Sequence, residues 1–152
     1  MNNARLLAGE RILLTLWVGG LWAIGYIAAP SLFARLEDRA LAGTLAAAMF
    51  EIVAYIGMVC AVLLLLSNQV RNPGRRLNWR AVVLLVMLLL VLAGQFVVAP
   101  MIAEMRVTGT SASSAFARLH GVASFAYLIT SLLGLALVVS PETSARFHQK
   151  HR

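Results

Sequence analysis

The sequence predicts an all-α protein, a four-helix transmembrane bundle forming one membrane domain over residues 1–152. Three observations carry that reading. Hydrophobic residues make up 61% of the chain and charged residues 12%, whereas soluble domains sit near ~45–50% and ~25%. The apolar residues fall into four continuous runs, and crossing ~30 Å of hydrocarbon takes ~20 helical residues at ~1.5 Å each. Twelve of the thirteen Lys and Arg residues stand between and beyond those runs, and Arg118 stands at the start of the last. The runs do not alternate, which excludes membrane strands. A net charge of +7 placed in this way marks membrane flanks, not a nucleic-acid surface.

The first run covers residues 12–30. Arg5 and Arg11 precede it, as in a secretory signal. The apolar stretch from Ile12 to Ala29 is longer than a signal core of ~7–15 residues. Pro30 would also follow directly after the only small-residue cleavage position. The run is therefore read as a retained helix. The connection SLFARLEDRALAG mixes Leu32, Phe33, Leu36 and Leu41 with charges, the composition of a short helix lying in the interface. The second run covers residues 42–66 and contains the lone Cys60, which excludes an intrachain disulfide and reads as a small core residue. Asn72-Pro73-Gly74 is a turn signal. The third run covers residues 81–102 and the fourth 115–139. The polar TGTSASS between them offers a serine cap for the last helix, and Pro141 ends it.

Orientation follows from the basic residues. Nine of the thirteen (Arg5, Arg11, Arg71, Arg75, Arg76, Arg80, Arg146, Lys150 and Arg152) lie in the N-terminus, the second connection and the tail. Arg35, Arg39, Arg106 and Arg118 lie in or directly beside the other two connections. The positive-inside rule then places both termini in the cytoplasm. Trp17 and Trp79 fall near span ends on that side, where interfacial anchors belong.

The two halves read as parallel copies of one helical hairpin. Tyr26-Ile-Ala-Ala-Pro30 ends the first run and Phe96-Val-Val-Ala-Pro100 the third. Phe50-Glu51 and Leu119-His120 follow at nearly equal spacings on the returning helices. The repeat predicts Glu51 and His120 at one level near the outer face. An ionisable side chain at a helix centre costs ~2.5–3.5 kcal/mol on the insertion scale. Glu51, His120 and Gln95 are therefore expected to face the bundle interior. Helical spacing extends them into inward stripes: Glu51, Tyr55 and Met58; His120, Ser124, Tyr127, Ser131 and Gly134; Thr15, Gly19, Trp22 and Tyr26. The candidate ligand-binding set is Glu51, His120, Gln95, Tyr26, Tyr55 and Ser124. A metal would draw on Glu51, His120, Met49 and Met101, since thioether and imidazole suit a copper-like ion. The tail pair His148 and His151 reads as a solvated basic end.

The stretch LWVGGLWAIGYIAAPSLFARLEDRALAG, the MFEI of the second run and FARLHGVASFAYLITSLLGLALV resemble the bacterial branch of the transmembrane-protein-205-like family, a domain of unknown function (number 4149). The likeness runs from Leu16 to Val138 and is carried by Trp17-x-Gly-Gly20, Pro30 with Phe33, and Leu119-His120. It implies a four-helix fold in a bacterial inner membrane. The architecture is also similar to copper-resistance D proteins and to haem-carrying protoporphyrinogen oxidases. Platinum handling, linked with the human member, does not carry over, since Cys60 stands alone. Bis-histidine haem ligation would need a second histidine inside the membrane.

The residues alone leave three readings open. One is handling or transport of a small ligand or metal ion at Glu51 and His120. Four helices are few for an alternating-access carrier, so that reading implies a homo-oligomer. Another is a non-catalytic accessory protein bound to other membrane proteins. The third is a haem or quinone redox protein with His120 as a ligand. No P-loop, Ser-His-Asp set or CxxC supports an enzyme.

Overall fold

The computed structural model describes residues 3–74, 77–110 and 113–140. They form four helices: α1 (Ala4–Arg35), α2 (Arg39–Arg71), α3 (Trp79–Val107) and α4 (Ser114–Val139). Each is long and apolar enough to cross a membrane, and no strand occurs among the described residues. α2, α3 and α4 each start where a side chain can satisfy the first free N–H groups, not where polarity changes. Asp38 Oδ1 accepts from the Ala40 and Leu41 N–H groups at 2.8 and 3.0 Å. Asn78 Oδ1 accepts from Ala81 N–H at 2.9 Å, and Ser113 Oγ from Phe116 N–H at 3.2 Å. The expected serine cap is thus present.

The connection expected to form an interfacial helix does not. α1 absorbs its first half, through Arg35, and α2 its second half, from Arg39, with a three-residue turn between them. The Asp38 cap explains the break. It restarts a helix so soon that no room is left for a separate element. The Asn72-Pro73-Gly74 turn is found, closed by Gly74 N–H donating to the Asn72 carbonyl at 2.9 Å.

Neither Pro30 nor Pro100 ends its helix, although the apolar runs stop near both. A proline inside a helix lacks the N–H for the carbonyl four residues back, and its ring collides with that carbonyl. Here a turn of π-helix precedes each proline, over Ala23–Ala28 in α1 and Gly94–Val98 in α3. Each widened turn closes with the same bond. Ala29 N–H donates to the Ile24 carbonyl, and Ala99 N–H to that of Gly94, five residues back in both cases. The extra residue swings the ring clear of the ladder. The two halves therefore share a backbone device as well as a sequence pattern.

Around the bundle, α1 packs on α2 and α4, and α3 packs on the same two helices. The core runs through Leu14, Trp17, Leu21, Val53, Cys60, Leu64, Leu84, Met87 and Leu137. Trp17 is wholly buried, so it is a core residue and not the interfacial anchor its position suggested. It fits because Gly57 of α2 leaves a gap for its indole. Trp79 is half exposed, as an anchor would be. Cys60 lies buried in the core as expected. About half of the large apolar side chains are exposed, Ile12, Ile52, Leu89 and Phe125 among them. This is the distribution of a bundle whose solvent is lipid.

Tyr127 ties α4 to the widened turn of α1. Its hydroxyl donates to the Leu21 carbonyl at 2.7 Å, just where the ladder changes from four-residue to five-residue bonds. The ring reaches that close because residue 25 is glycine; a Cβ there would stand 2.3 Å from Tyr127 Cε1. Phe50 of α2 meets the same ring edge-on at 5.1 Å between centroids. Tyr127→Phe is expected to lower unfolding stability by about 1 kcal/mol, the net worth of one such bond. Circular dichroism during denaturation in detergent measures this, and an unchanged midpoint would make the bond incidental.

Candidate functional site

The predicted outer site is not assembled within one chain. Glu51 and Tyr55 share an exposed face of α2. The inward face is carried by Phe50, Val53, Gly57, Cys60 and Leu64, one helical step away. The stripe Thr15, Gly19, Trp22 and Tyr26 likewise lies on the outside of α1. On α4 the stripe is half right: Ser131 and Gly134 are buried and Tyr127 is half-buried, but His120 and Ser124 are exposed. The expectation that Glu51 and His120 face the interior therefore fails. Apolar and small side chains fill the interior instead, with Phe50 and Tyr127 in contact at the level of Glu51.

The two groups also sit at different depths. Phe50 is level with Tyr127 through their ring contact. His120 precedes Tyr127 by seven residues, which is about 10 Å along a helix. The returning helices of the two halves are thus shifted against each other, and the repeat does not bring Glu51 and His120 to one level. His120 lies parallel to the Phe116 ring, with centroids 6.0 Å apart. Ser124 donates to the His120 carbonyl at 2.9 Å, an ordinary bond within one helix. Gln95 is half-buried in the widened turn of α3, Met49 is half-buried on α2, and Met101 is exposed on α3. Tyr26 meets Trp22 at a tilt of 42° with centroids 4.8 Å apart and approaches Tyr127 at 6.2 Å. No three His, Cys, Asp or Glu side chains gather into a metal-holding group among the described residues. His148 and His151 lie outside the described residues.

A polar centre does exist, at the opposite end of the bundle. Glu10 of α1 is 3% exposed. Ser67 Oγ donates to its Oε1 at 2.7 Å, and Arg71 Nη1 to its Oε2 at 2.5 Å. Arg80 Nη2 of α3 stands 3.8 Å from the same Oε2. Beside them Asn68 is buried, and its Oδ1 accepts from Asn78 Nδ2 at 3.0 Å. The α1 carboxylate thus gathers groups from α2 and α3, and Asn78 of the connection between those helices bonds Asn68 beside it. Chemically the arrangement is an ionic latch. It holds a charge out of water by surrounding it with donors, the condition under which a buried carboxylate is tolerated.

Reading the apolar runs passed over Glu10, because the first run begins two residues later. A signal was present. Glu10, Leu14, Trp17 and Leu21 follow i, i+4, i+7 and i+11, so the carboxylate shares its face with core residues. Ser67 and Arg71, four residues apart on α2, reach it from one side. At the other end Arg106 Nη1 donates to the Gly43 carbonyl at 3.0 Å, tying the end of α3 to the start of α2.

Against curated proteins and solved structures nothing matches. Residues 12–111 match the family described as a domain of unknown function (DUF4149). The matched stretch holds α1 from Ile12 onward, α2, α3 and the widened turns before Pro30 and Pro100. With about two thirds of its length covered, the chain belongs to the DUF4149 family.

Proposed function

We propose that this protein is a non-catalytic accessory protein of the bacterial inner membrane, with both termini in the cytoplasm, that binds other membrane-protein helices side by side. One observation carries the reading. Glu51 and Tyr55 occupy an outward face of a transmembrane helix, and Glu51 has no hydrogen bond or ion pair among the described residues. A carboxylate facing lipid is costly, and a partner helix that supplies a donor removes the cost. The neighbouring Ala47 and Ala48 are exposed as well, and small side chains let a partner backbone come close. The bundle interior supports the same reading, since tryptophan, methionine and leucine side chains fill it.

Metal handling, the other reading, would take its ligands from more than one chain, because a single copy keeps Glu51 and His120 apart. The resemblance to copper-resistance D proteins keeps that outcome in the test. The experiment is purification in mild detergent of the parent, Glu51→Leu and His120→Ala, with mass by light scattering, metal content and the Soret region recorded. The parent is expected to run as an assembly, with itself or with a second membrane protein, and Glu51→Leu to lose it while keeping its helix content. Identical masses for parent and Glu51→Leu would sink the proposal. Bound metal lost in His120→Ala would favour metal handling instead, and a Soret band would favour haem.

A further inference from the structure

We propose that a cleft between α1 and the end of α4, beside the Glu10 latch, is a binding site for a phosphate group, carried by an anionic phospholipid or free in solution. The cleft has a volume of about 410 Å³, within the ~300–1,000 Å³ range of small-molecule sites. Arg11 and Thr15 of α1, Arg80 of α3 and Ser140 after α4 line its polar side. Leu14 and Leu137 line its apolar side. Those two leucines are buried while Arg11 and Thr15 are exposed. The cleft therefore runs from the surface to the edge of the core. An amphipathic lining of this kind suits a charged headgroup joined to a hydrocarbon chain.

Charge counting supplies the second argument. The latch sets one carboxylate against two guanidinium groups. Arg71 takes the close contact with Glu10, and Arg80 stays at 3.8 Å, too far for a hydrogen bond. Arg80 Nη1 is buried with no hydrogen-bond partner. A buried guanidinium with an idle donor and a half-shared counter-charge is an unstable arrangement by itself. Phosphate oxygens accept from guanidinium in a matched, forked geometry. Arg80 and Arg11 both line the cleft, so an anion held there would meet two guanidinium groups and supply the counter-charge that Glu10 gives mainly to Arg71. Basic pockets between transmembrane helices at the cytoplasmic surface are where anionic headgroups bind.

The test uses full-length protein, delipidated in non-ionic detergent, with phosphatidylglycerol, phosphatidylcholine and inorganic phosphate as probes. Binding is read by native mass spectrometry and by the shift in thermal midpoint. Phosphatidylglycerol is expected to bind about tenfold or more tightly than phosphatidylcholine, which has the same phosphodiester but whose choline cation cancels the net charge that Arg11 and Arg80 attract. Arg80→Gln should abolish that preference. Val138→Trp should abolish it too, because Val138 lines the cleft, is half exposed and makes no contact with the latch in any hydrogen bond or ion pair. It therefore decides the matter if Arg80→Gln does not fold. A midpoint shift with inorganic phosphate alone, lost in Val138→Trp, would identify free phosphate as the source and keep the site. Equal binding of the two lipids with no effect of phosphate overturns the proposal. So does a preference that survives Val138→Trp.

Discussion

Glu10→Ala is expected to lower the stability of the protein by about 3 kcal/mol, the lower end of the range for removing one partner of a buried ion pair. The cost does not come mainly from the lost attraction. It comes from Arg71 and Arg80, which stay behind with side chains only 20% and 16% exposed and no carboxylate between them. Those residual exposures are why the lower end of the range applies, since partial contact with water relieves part of the strain. Ser67 loses its acceptor as well. Glu10→Gln should cost less, because the amide oxygen still accepts from Ser67 or Arg71. The midpoint of denaturation in mixed micelles, followed by circular dichroism, measures both. A Glu10→Ala midpoint equal to that of the parent would mean that the latch contributes nothing. The triple replacement of Glu10, Arg71 and Arg80 by methionine should recover most of the loss, as apolar replacement of a whole buried ionic group generally does.

Gly57→Ala should cost about 1–3 kcal/mol, a large effect for one added methyl group. A Cβ at residue 57 would stand 2.3 Å from Trp17 Nε1 and 2.9 Å from Cε2. The obstacle is a rigid ring, wholly buried, with α1 behind it. The indole cannot yield by turning a flexible end, so α1 and α2 must move apart. Trp17→Phe removes the atoms that clash, and its Nε1 has no hydrogen-bond partner to lose. The double variant should therefore be more stable than the sum of the two single losses, by an amount that a double-mutant cycle reads directly. Tryptophan emission offers an independent signal, since Gly57→Ala should shift the contribution of Trp17 as the seam opens. Additive losses would show that residues 17 and 57 do not meet in this way.

Much of the architecture is legible in the residues, and the reasons differ from element to element. Four helices follow from runs of apolar residues, since a backbone in lipid must satisfy its own hydrogen bonds. The caps at Ser113 and the turn at Asn72-Pro73-Gly74 follow from local chemistry. The matching segments before Pro30 and Pro100 announced a shared feature, although composition does not say that the feature is a widened turn. Faces were harder to read. In a bilayer both the interior and the exterior are apolar, so hydrophobic periodicity does not separate them. The rule that polar residues point inward filled that gap and misplaced Glu51 and His120. It fails here because apolar and small side chains already fill the bundle interior.

What the sequence by itself determined is the number of helices, their length and apolar character, and the family. These depend on composition and local bonding, which each segment carries within itself. The tertiary structure decided which side of each helix looks inward, that Trp17 is core, and that Glu10 is the buried charge. It also separated Glu51 from His120 by depth and by face. Those outcomes turn on rotations of about 100° per residue and on pairs such as Gly57 with Trp17, whose members lie forty residues apart. Only the packing of one helix against another chooses among them.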